Sequence, residues 1–124
     1  MTQSIWTTRI AIEKEERPWG RFFVIHDEKK YKLKRIEVDS GGRLSYQYHK
    51  KSPETWTIIE GEALVTLDDK TFNYRAGDTI LIPQGIKHRV ENKGNNTLIF
   101  IEVQTGTYFG EDDIIRIEDV YNRS

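Results

Sequence analysis

Two histidines, a glutamate and a glutamine stand at spacings that would let their side chains meet. Gln47 and His49 are two residues apart in an alternating segment, so both leave the same face of a predicted strand. Glu54 follows after a short loop, from which the next strand can return beside His49, and His88 follows a Pro-Gln-Gly turn. Two imidazoles, a carboxylate and an amide oxygen inside a small barrel would suit a divalent first-row metal ion, such as zinc or manganese. A hydrogen-bonded polar cluster without an ion is the alternative.

Short alternating segments separated by turn residues must position these side chains. We predict nine strands, over residues 22–26, 31–38, 44–49, 54–60, 63–67, 71–74, 79–82, 88–92 and 98–104. Strands this short, at this even spacing, are typical of an all-β sandwich or barrel. Only residues 111–121 hold the apolar period of 3.6 residues that indicates a helix. Residues 1–16 form a polar lead-in, so we expect one domain over residues 17–124.

The composition argues against several classes of protein. Lys+Arg is 19 and Asp+Glu is 20, a balance that does not favour a nucleic-acid binder, since such proteins usually carry a basic excess. Cysteine is absent, which removes disulfides and thiolate metal sites. No stretch approaches the ~18 apolar residues of a membrane span, and the first residues lack a signal-peptide pattern. We therefore expect a soluble cytoplasmic protein that binds neither nucleic acid nor membrane.

Two longer motifs contain the candidate ligands. From Gly41 the chain reads G-x5-Q-x-H-x4-E-x6-G, and from Gly77 it reads G-x5-P-x-G-x2-H-x3-N. These resemble the two signature motifs of the cupin superfamily, with Gln47 where most cupins have a histidine. The resemblance implies an all-β fold, the double-stranded β-barrel or jelly roll, with a metal ion held by Gln47, His49, Glu54 and that last histidine, His88.

A narrower resemblance covers residues 17–123. The segments RPWG at 17–20, YKLKR at 31–35, RLSYQYH at 43–49, PQGIKHRVEN at 83–92 and IEVQTGTYFGEDDIIR at 101–116 are similar to the C-terminal cupin domain of type II mannose-6-phosphate isomerases. Glutamine in the first ligand position is also usual in that family. The resemblance implies interconversion of mannose 6-phosphate and fructose 6-phosphate with a divalent metal. A guanylyltransferase domain, often fused in this family, is missing here, so a separate guanylyltransferase is a candidate partner.

The chain departs from the family around the predicted glutamate ligand. It reads HKKSPETW over 49–56, where the family usually reads HHHRAEHW. This difference keeps a second interpretation open, a non-catalytic cupin that binds a sugar or sugar phosphate. A third is a small Fe(II) dioxygenase, because two histidines and one carboxylate also suit iron and oxygen chemistry. The isomerase-like segments outside the motifs argue against the dioxygenase.

Basic residues near the motifs are candidates for the substrate site. Lys32 and Lys34 share one face of a strand, and Arg43 lies one pleat before the segment that carries the ligands. We predict that Lys32, Arg43 and Arg116 bind the phosphate of the substrate. We assign catalytic roles to Lys34 and Glu54, with an unliganded histidine as the alternative base. Exposed strand faces, or pairing of Arg116 with its acidic neighbours, would explain the same cations without function.

The opposite face of the predicted ligand strand is apolar. Leu44, Tyr46 and Tyr48 alternate with the residues of the site. Unless another element covers them, a second subunit would, so we predict a homodimer. His26 stands where a strand meets a charged turn, and we expect it to be solvated.

Overall fold

The computed structural model describes residues 13–106, 109 and 114–118, and the described residues contain strands but no helix. The strands are β1 (Glu13–Arg17), β2 (Gly20–Asp27), β3 (Tyr31–Val38), β4 (Tyr46–His49), β5 (Glu54–Glu60), β6 (Glu62–Leu67), β7 (Lys70–Arg75), β8 (Thr79–Ile82), β9 (His88–Glu91), β10 (Leu98–Thr105) and β11 (Ile114–Glu118). Strands β2 to β10 are the nine predicted ones, with ends that differ by at most two residues. The all-β prediction is therefore confirmed. No helix that could cross a membrane is therefore present in this part of the chain.

Two antiparallel sheets form the barrel. The first has six strands in the order β1-β2-β3-β10-β5-β8, and the second has five in the order β11-β4-β9-β6-β7. Strand β4 lies in the second sheet, whereas the strands on either side of it in the chain, β3 and β5, lie in the first. Such crossing between sheets is the arrangement of a jelly roll, which confirms the predicted cupin barrel.

The interior of the barrel has an apolar end and a polar end. On β5, Glu54 is buried at the start of the strand, whereas Ile58 is buried near its end. On β10 the order is reversed, because Phe100 comes first and Glu102 follows. Since the two strands are antiparallel, their carboxylates lie at the same end. A continuous apolar core extends from the apolar end to the polar side chains and consists of Trp19, Phe22, Val24, Ile36, Val38, Trp56, Ile58, Ala63, Val65, Ile80, Ile82, Val90, Leu98 and Phe100.

The C-terminal segment is a strand where the sequence predicts a helix. Residues Ile114–Glu118 form β11, which pairs with β4 at the edge of the second sheet. The helix prediction is therefore wrong for these residues, while 111–113 and 119–121 lie outside the described part of the chain. Ile114, Ile115 and Ile117 are β-branched, so they fit a pleated surface better than a helix. An apolar repeat over so few residues does not distinguish a strand from a helix.

The first sheet begins inside the predicted lead-in. Strand β1 starts at Glu13 and pairs with β2 over its whole length. The turn between them places Gly20 directly against β3, with a φ of +151°. A Cβ atom there would lie 2.1 Å from the backbone oxygen of Glu37. Only glycine allows β2 to approach β3 this closely.

Tyr46 is covered by its own chain and not by a second subunit. Its hydroxyl donates a hydrogen bond to Oδ1 of Asp69 (2.6 Å) and accepts one from the backbone N–H of the same residue (2.8 Å). The cations of Lys87 and Arg89 lie 5.7 and 5.3 Å from the centre of its ring. Leu44 packs against the core instead of the outer face. Two of the three residues of the predicted apolar face, Leu44 and Tyr46, are therefore covered by this chain.

Candidate metal centre

Three buried side chains from three strands converge at the polar end of the barrel. His49 ends β4, Glu54 begins β5 and His88 begins β9. Nε2 of His49 lies 2.5 Å from Oε2 of Glu54, and Nε2 of His88 lies 3.5 Å from the same oxygen. One potential ligand atom from each residue lies within 4.8 Å of the others. The sequence-based prediction that these three residues meet agrees with this geometry.

Turns at the same end of the barrel position these strands. The backbone N–H of Gly85 donates a hydrogen bond to the carbonyl of His49 (2.9 Å), which joins the end of β4 to the turn before β9. Nδ1 of His88 contacts the carbonyl of Ile86 in that turn at 2.9 Å. A carbonyl can only accept, so Nδ1 carries the proton and Nε2 presents its lone pair to the cluster.

Trp56 fixes the carboxylate from the other side. Its Nε1 donates a hydrogen bond to Oε1 of Glu54 at 2.9 Å. The same indole packs edge-on against His88, with ring centres 5.7 Å apart. Oε1 of Glu54 is thereby held, and Oε2 is turned toward the two imidazoles.

The electrostatics favour the protonation states that bind metal. Burial would raise the pKa of the Glu54 carboxyl, but the hydrogen bond with His49 and the electrostatic interaction with the two imidazoles outweigh it and hold that pKa well below its usual range. Burial lowers the pKa of His88 more than the charge of Glu54 raises it. An ionised carboxylate and a neutral imidazole are the ligand forms of these groups.

The donor atoms present fit a divalent cation. Nε2 of His88 is buried and has no hydrogen-bond partner, which is costly for a polar atom unless something else occupies the space before it. Two imidazole nitrogens and one carboxylate oxygen are the set that zinc, iron and manganese accept. The group could therefore hold a metal ion, and its donors do not distinguish which one.

Gln47 lies next to the cluster on β4. Its Cα is paired with that of His88 across the β4–β9 ladder, and it lines the same cavity as His49. Its Oε1 accepts a hydrogen bond from the Ser45 hydroxyl at 3.0 Å. The structure thus places the fourth predicted ligand beside the other three, with its oxygen already in a hydrogen bond.

A cavity opens from the cluster between the two sheets. The space in it, including its open mouth, is about 490 Å³. Its polar wall contains Arg17, Lys34, Ser45, Gln47, His49, Glu102 and Arg116, and its apolar wall contains Trp19, Phe22, Ile36, Leu44 and Ile114. Two predicted site residues, Lys34 and Arg116, therefore line the same cavity as His49.

Two other predicted residues lie elsewhere. Arg43 forms an ion pair with Glu118 at 3.3 Å, and Lys32 lies near the start of β3, opposite Asp27 and Gln104. Neither belongs to the wall of the cavity as far as the described residues define it. His26 is exposed near the end of β2, and its ring contacts the Tyr31 hydroxyl at 3.0 Å.

Sequence reasoning missed Glu102 and Arg17. Glu102 is only 7% exposed, and its Cα is paired with those of Lys34 and Trp56. The sequence did contain a signal for Glu102, because it is a charged residue at an inward-facing position of β10, two and four residues after the buried Phe100 and Leu98. Arg17 gave no such signal, because it stands at the end of a charged run.

Comparison with known protein families gives one match over most of the chain. A family described as the mannose-6-phosphate isomerase C-terminal domain matches residues 8–119. This confirms the resemblance seen in the sequence.

Curated relatives point in the same direction. The alginate biosynthesis protein AlgA of Pseudomonas aeruginosa is 44% identical over 108 residues, which are 87% of this chain and 22% of the relative. The xanthan biosynthesis protein XanB of Xanthomonas campestris pv. campestris is 42% identical over 87% of this chain and 23% of its own. A mannose-1-phosphate guanylyltransferase of Klebsiella pneumoniae is 42% identical over 86% of this chain and 23% of its own. The chain thus spans less than a quarter of the length of these relatives.

Solved structures support the fold. A single-substitution variant of Streptomyces PAC13 with uridine superposes with a TM-score of 0.76 over 90% of this chain and 88% of that chain, at 14% identity. A double-stranded β-helix protein of Klebsiella pneumoniae superposes with a TM-score of 0.70 over 78% of this chain and 83% of its own, at 22% identity. At such identities the likeness concerns the fold alone.

Proposed function

Because the chain belongs to the family of mannose-6-phosphate isomerase C-terminal domains, we propose that it is a metal-dependent isomerase that interconverts mannose 6-phosphate and fructose 6-phosphate. The observation that carries this proposal is the buried group of His49, Glu54 and His88 beside a cavity that contains Lys34 and Arg116. A metal centre next to cations is what a reaction on a phosphorylated sugar requires.

In this proposal His49, Glu54 and His88 hold the divalent ion, and Gln47 offers a fourth, neutral oxygen. The bound ion supplies Lewis-acid polarisation of the sugar oxygens. Glu54 is a ligand through Oε2 and is held by Trp56 through Oε1, which leaves it poorly placed to act as a base as well.

Lys34 is our candidate for the group that moves the proton. Its side chain is 6% exposed, and its Nζ lies 4.6 Å from the centre of the Phe22 ring. The base takes the proton from C2 of the open-chain sugar, and the electron pair left behind forms the C1–C2 double bond. The π pair of the C1 carbonyl moves to O1, which takes up a proton, and an enediol results. Return of a proton to C1, with loss of the O2 proton as the C2 carbonyl forms, completes the isomerisation. The apolar wall around Lys34 limits access of water to this step.

A coupled assay for fructose 6-phosphate tests the proposal. The full chain is loaded with zinc or manganese and compared with His88→Ala and with His26→Ala, which removes an exposed histidine outside the site. We expect turnover in the parent and in His26→Ala, and its loss in His88→Ala. Thermal melting of both variants shows that they are folded.

One observation supports a second candidate, a binding module without turnover. Ser52 occupies the position where the family usually has arginine, and it is buried, accepting a hydrogen bond from Gln104 Nε2 at 3.3 Å. Lys50 and Lys51, which replace two histidines, are exposed. Binding of mannose 6-phosphate without turnover, in protein shown to hold zinc, manganese, cobalt or iron, would support this candidate over the isomerase.

The names of the relatives support a place in polysaccharide biosynthesis, with a guanylyltransferase as fused or separate partner. We propose that the protein acts there in the cytoplasm.

We also propose a homodimer, but through the outer face of the six-stranded sheet. Leu81 (67% exposed) and Ile59 (51%) project from this face. Sedimentation of the parent and of Leu81→Lys tests it, and a parent that sediments as a monomer contradicts it.

A further inference from the structure

Two arginines approach the cavity from the outermost strands of the two sheets. Arg17 ends β1, the edge strand of the six-stranded sheet, and Arg116 lies on β11, the edge strand of the five-stranded sheet. Both line the cavity that contains His49. The same cavity is therefore lined by His49 and by one arginine from the edge strand of each sheet.

Arg116 lies in the same row of the sheet as the metal ligands. Its Cα is paired with that of Gln47, which is paired in turn with that of His88. Neighbouring strands are about 4.8 Å apart, so the backbone of Arg116 is about 10 Å from that of His88. The Nε of Arg116 is buried and has no hydrogen-bond partner. A buried cationic donor of this kind needs an acceptor, which a ligand in the cavity could supply.

Arg17 is held in place by its own strand. Its Nη1 donates hydrogen bonds to Oε1 of Glu15 (3.1 Å) and to the carbonyl of Glu16 (3.0 Å). Its guanidinium also lies 4.9 Å from the centre of the Phe22 ring, a cation–π contact inside the cavity wall. These contacts order the side chain before any ligand arrives, which lowers the entropic cost of binding.

The cations of the cavity differ in the geometry of their donors. Lys34 and Arg17 lie 4.6 and 4.9 Å from the centre of the same Phe22 ring. Each has a carboxyl group beside it, because Lys34 is paired at its Cα with Glu102 and Arg17 contacts Glu15 at 3.1 Å. The two edge strands contribute guanidinium groups, whose planar donors match phosphate oxygens better than the ammonium of Lys34 does.

We propose that Arg17 and Arg116 together bind the phosphate group of the substrate, so that the carbonyl end of the sugar is directed toward His49, Glu54 and His88. This inference takes the identity of the ligand from the proposed function. It assigns phosphate binding to two arginines that line one cavity, in place of Lys32 and Arg43, which the sequence spacing favoured.

Calorimetric titration of the metal-loaded full chain tests the pair. The probes are mannose 6-phosphate, inorganic phosphate and mannose, and the variants are Arg17→Gln and Arg116→Gln. Arg35→Gln, which removes an exposed arginine from the outer face of β3, is the matched control, and Arg43→Gln tests the competing assignment. We expect each cavity variant to weaken mannose 6-phosphate and inorganic phosphate about tenfold, because one charge-assisted contact is lost. Affinity for mannose, and all affinities of Arg35→Gln and Arg43→Gln, should stay near the parent values.

Binding of both phosphates at parent affinity in Arg17→Gln and Arg116→Gln overturns the inference, as does a tenfold loss in Arg43→Gln alone. Arg116→Lys, which keeps the charge and loses the planar donor pair, replaces Arg116→Gln if that variant does not fold, and it should still weaken both phosphates. The isomerase proposal and this inference can fail independently. If the protein shows no turnover but its phosphate affinity depends on both arginines, the phosphate subsite stands and the isomerase proposal fails. If the protein shows turnover and the variants bind phosphate with unchanged affinity, the activity stands and the phosphate subsite fails.

Discussion

Trp56 is the residue that connects the apolar core to the metal centre. Its ring packs against Phe100, with centres 4.7 Å apart, while its Nε1 donates to Glu54. The same side chain therefore stabilises the fold and orients a ligand. Its two roles can be separated by a substitution that keeps an aromatic ring and removes the donor.

We predict that Trp56→Phe lowers metal affinity about 10- to 100-fold, because the Glu54 carboxylate loses the partner that orients it. Competition with a chromophoric chelator measures this affinity. Trp19→Phe, a change in a core tryptophan outside the cluster, is the control for general loss of packing. Equal affinities in Trp56→Phe and the parent would show that the hydrogen bond does not orient the ligand.

Tyr46 provides a prediction on pH. Burial, followed by the hydrogen bond to Asp69, raises the pKa of its hydroxyl. The protonated form is therefore favoured in the folded state, and its contribution is complete below the unfolded pKa of about 10. As pH rises above about 10, the unfolded chain loses this proton first and stability falls. Urea midpoints should drop more steeply between about pH 9 and 11 in the parent than in Tyr46→Phe.

At the scale of elements, turn residues account for the success of the strand predictions. Asp68 and Asp69 have positive φ angles (49° and 72°) in the two-residue turn between β6 and β7, as a type I′ hairpin requires. Their sequence signature was visible as a break between two alternating segments. By contrast, the edge strand β11 was missed, because the apolar period of residues 111–121 was given more weight than the β-branched side chains of its three isoleucines.

The candidate substrate-binding residues show what the sequence could and could not predict. Alternation correctly placed His49 and Gln47 on one face, because both lie within β4. It did not locate Arg43, which lies before β4 and forms only an isolated bridge with Glu91. Arg17 could not be found, since it lines a cavity together with residues of the other sheet. A period of two holds inside one strand and does not report contacts between sheets.

The close contact of Gly20 with β3 can be tested by substitution. We predict that Gly20→Ala destabilises the protein by about 2–4 kcal/mol, because the added Cβ would overlap the Glu37 carbonyl and β2 would have to move from β3. Gly41→Ala is the matched control, since Gly41 also has a positive φ but nothing lies within 4 Å of its Cβ position. It should cost about 1 kcal/mol from backbone strain alone. Urea unfolding measures both, and equal losses would contradict the proposed clash.

At the scale of the whole molecule, the metal centre lies at one end of the barrel and borders an apolar core that extends to the other end. We predict that chelation of the metal leaves the β-sheet circular dichroism unchanged and lowers the melting temperature, because the apolar end stays packed while the binding free energy is lost. Adding zinc back should restore the melting temperature in the parent and not in His88→Ala. Loss of the sheet signal on chelation would mean that the metal is required for folding.

The three ligand residues also carry a consequence for the order of folding. Glu54 belongs to the six-stranded sheet, whereas His49 and His88 belong to the five-stranded sheet. The chelating group therefore does not exist until the two sheets have docked, and formation of such distant contacts is slow compared with that of local turns. Metal uptake should then lag behind the appearance of sheet structure during refolding, and the rate of capture would report the last step of barrel assembly.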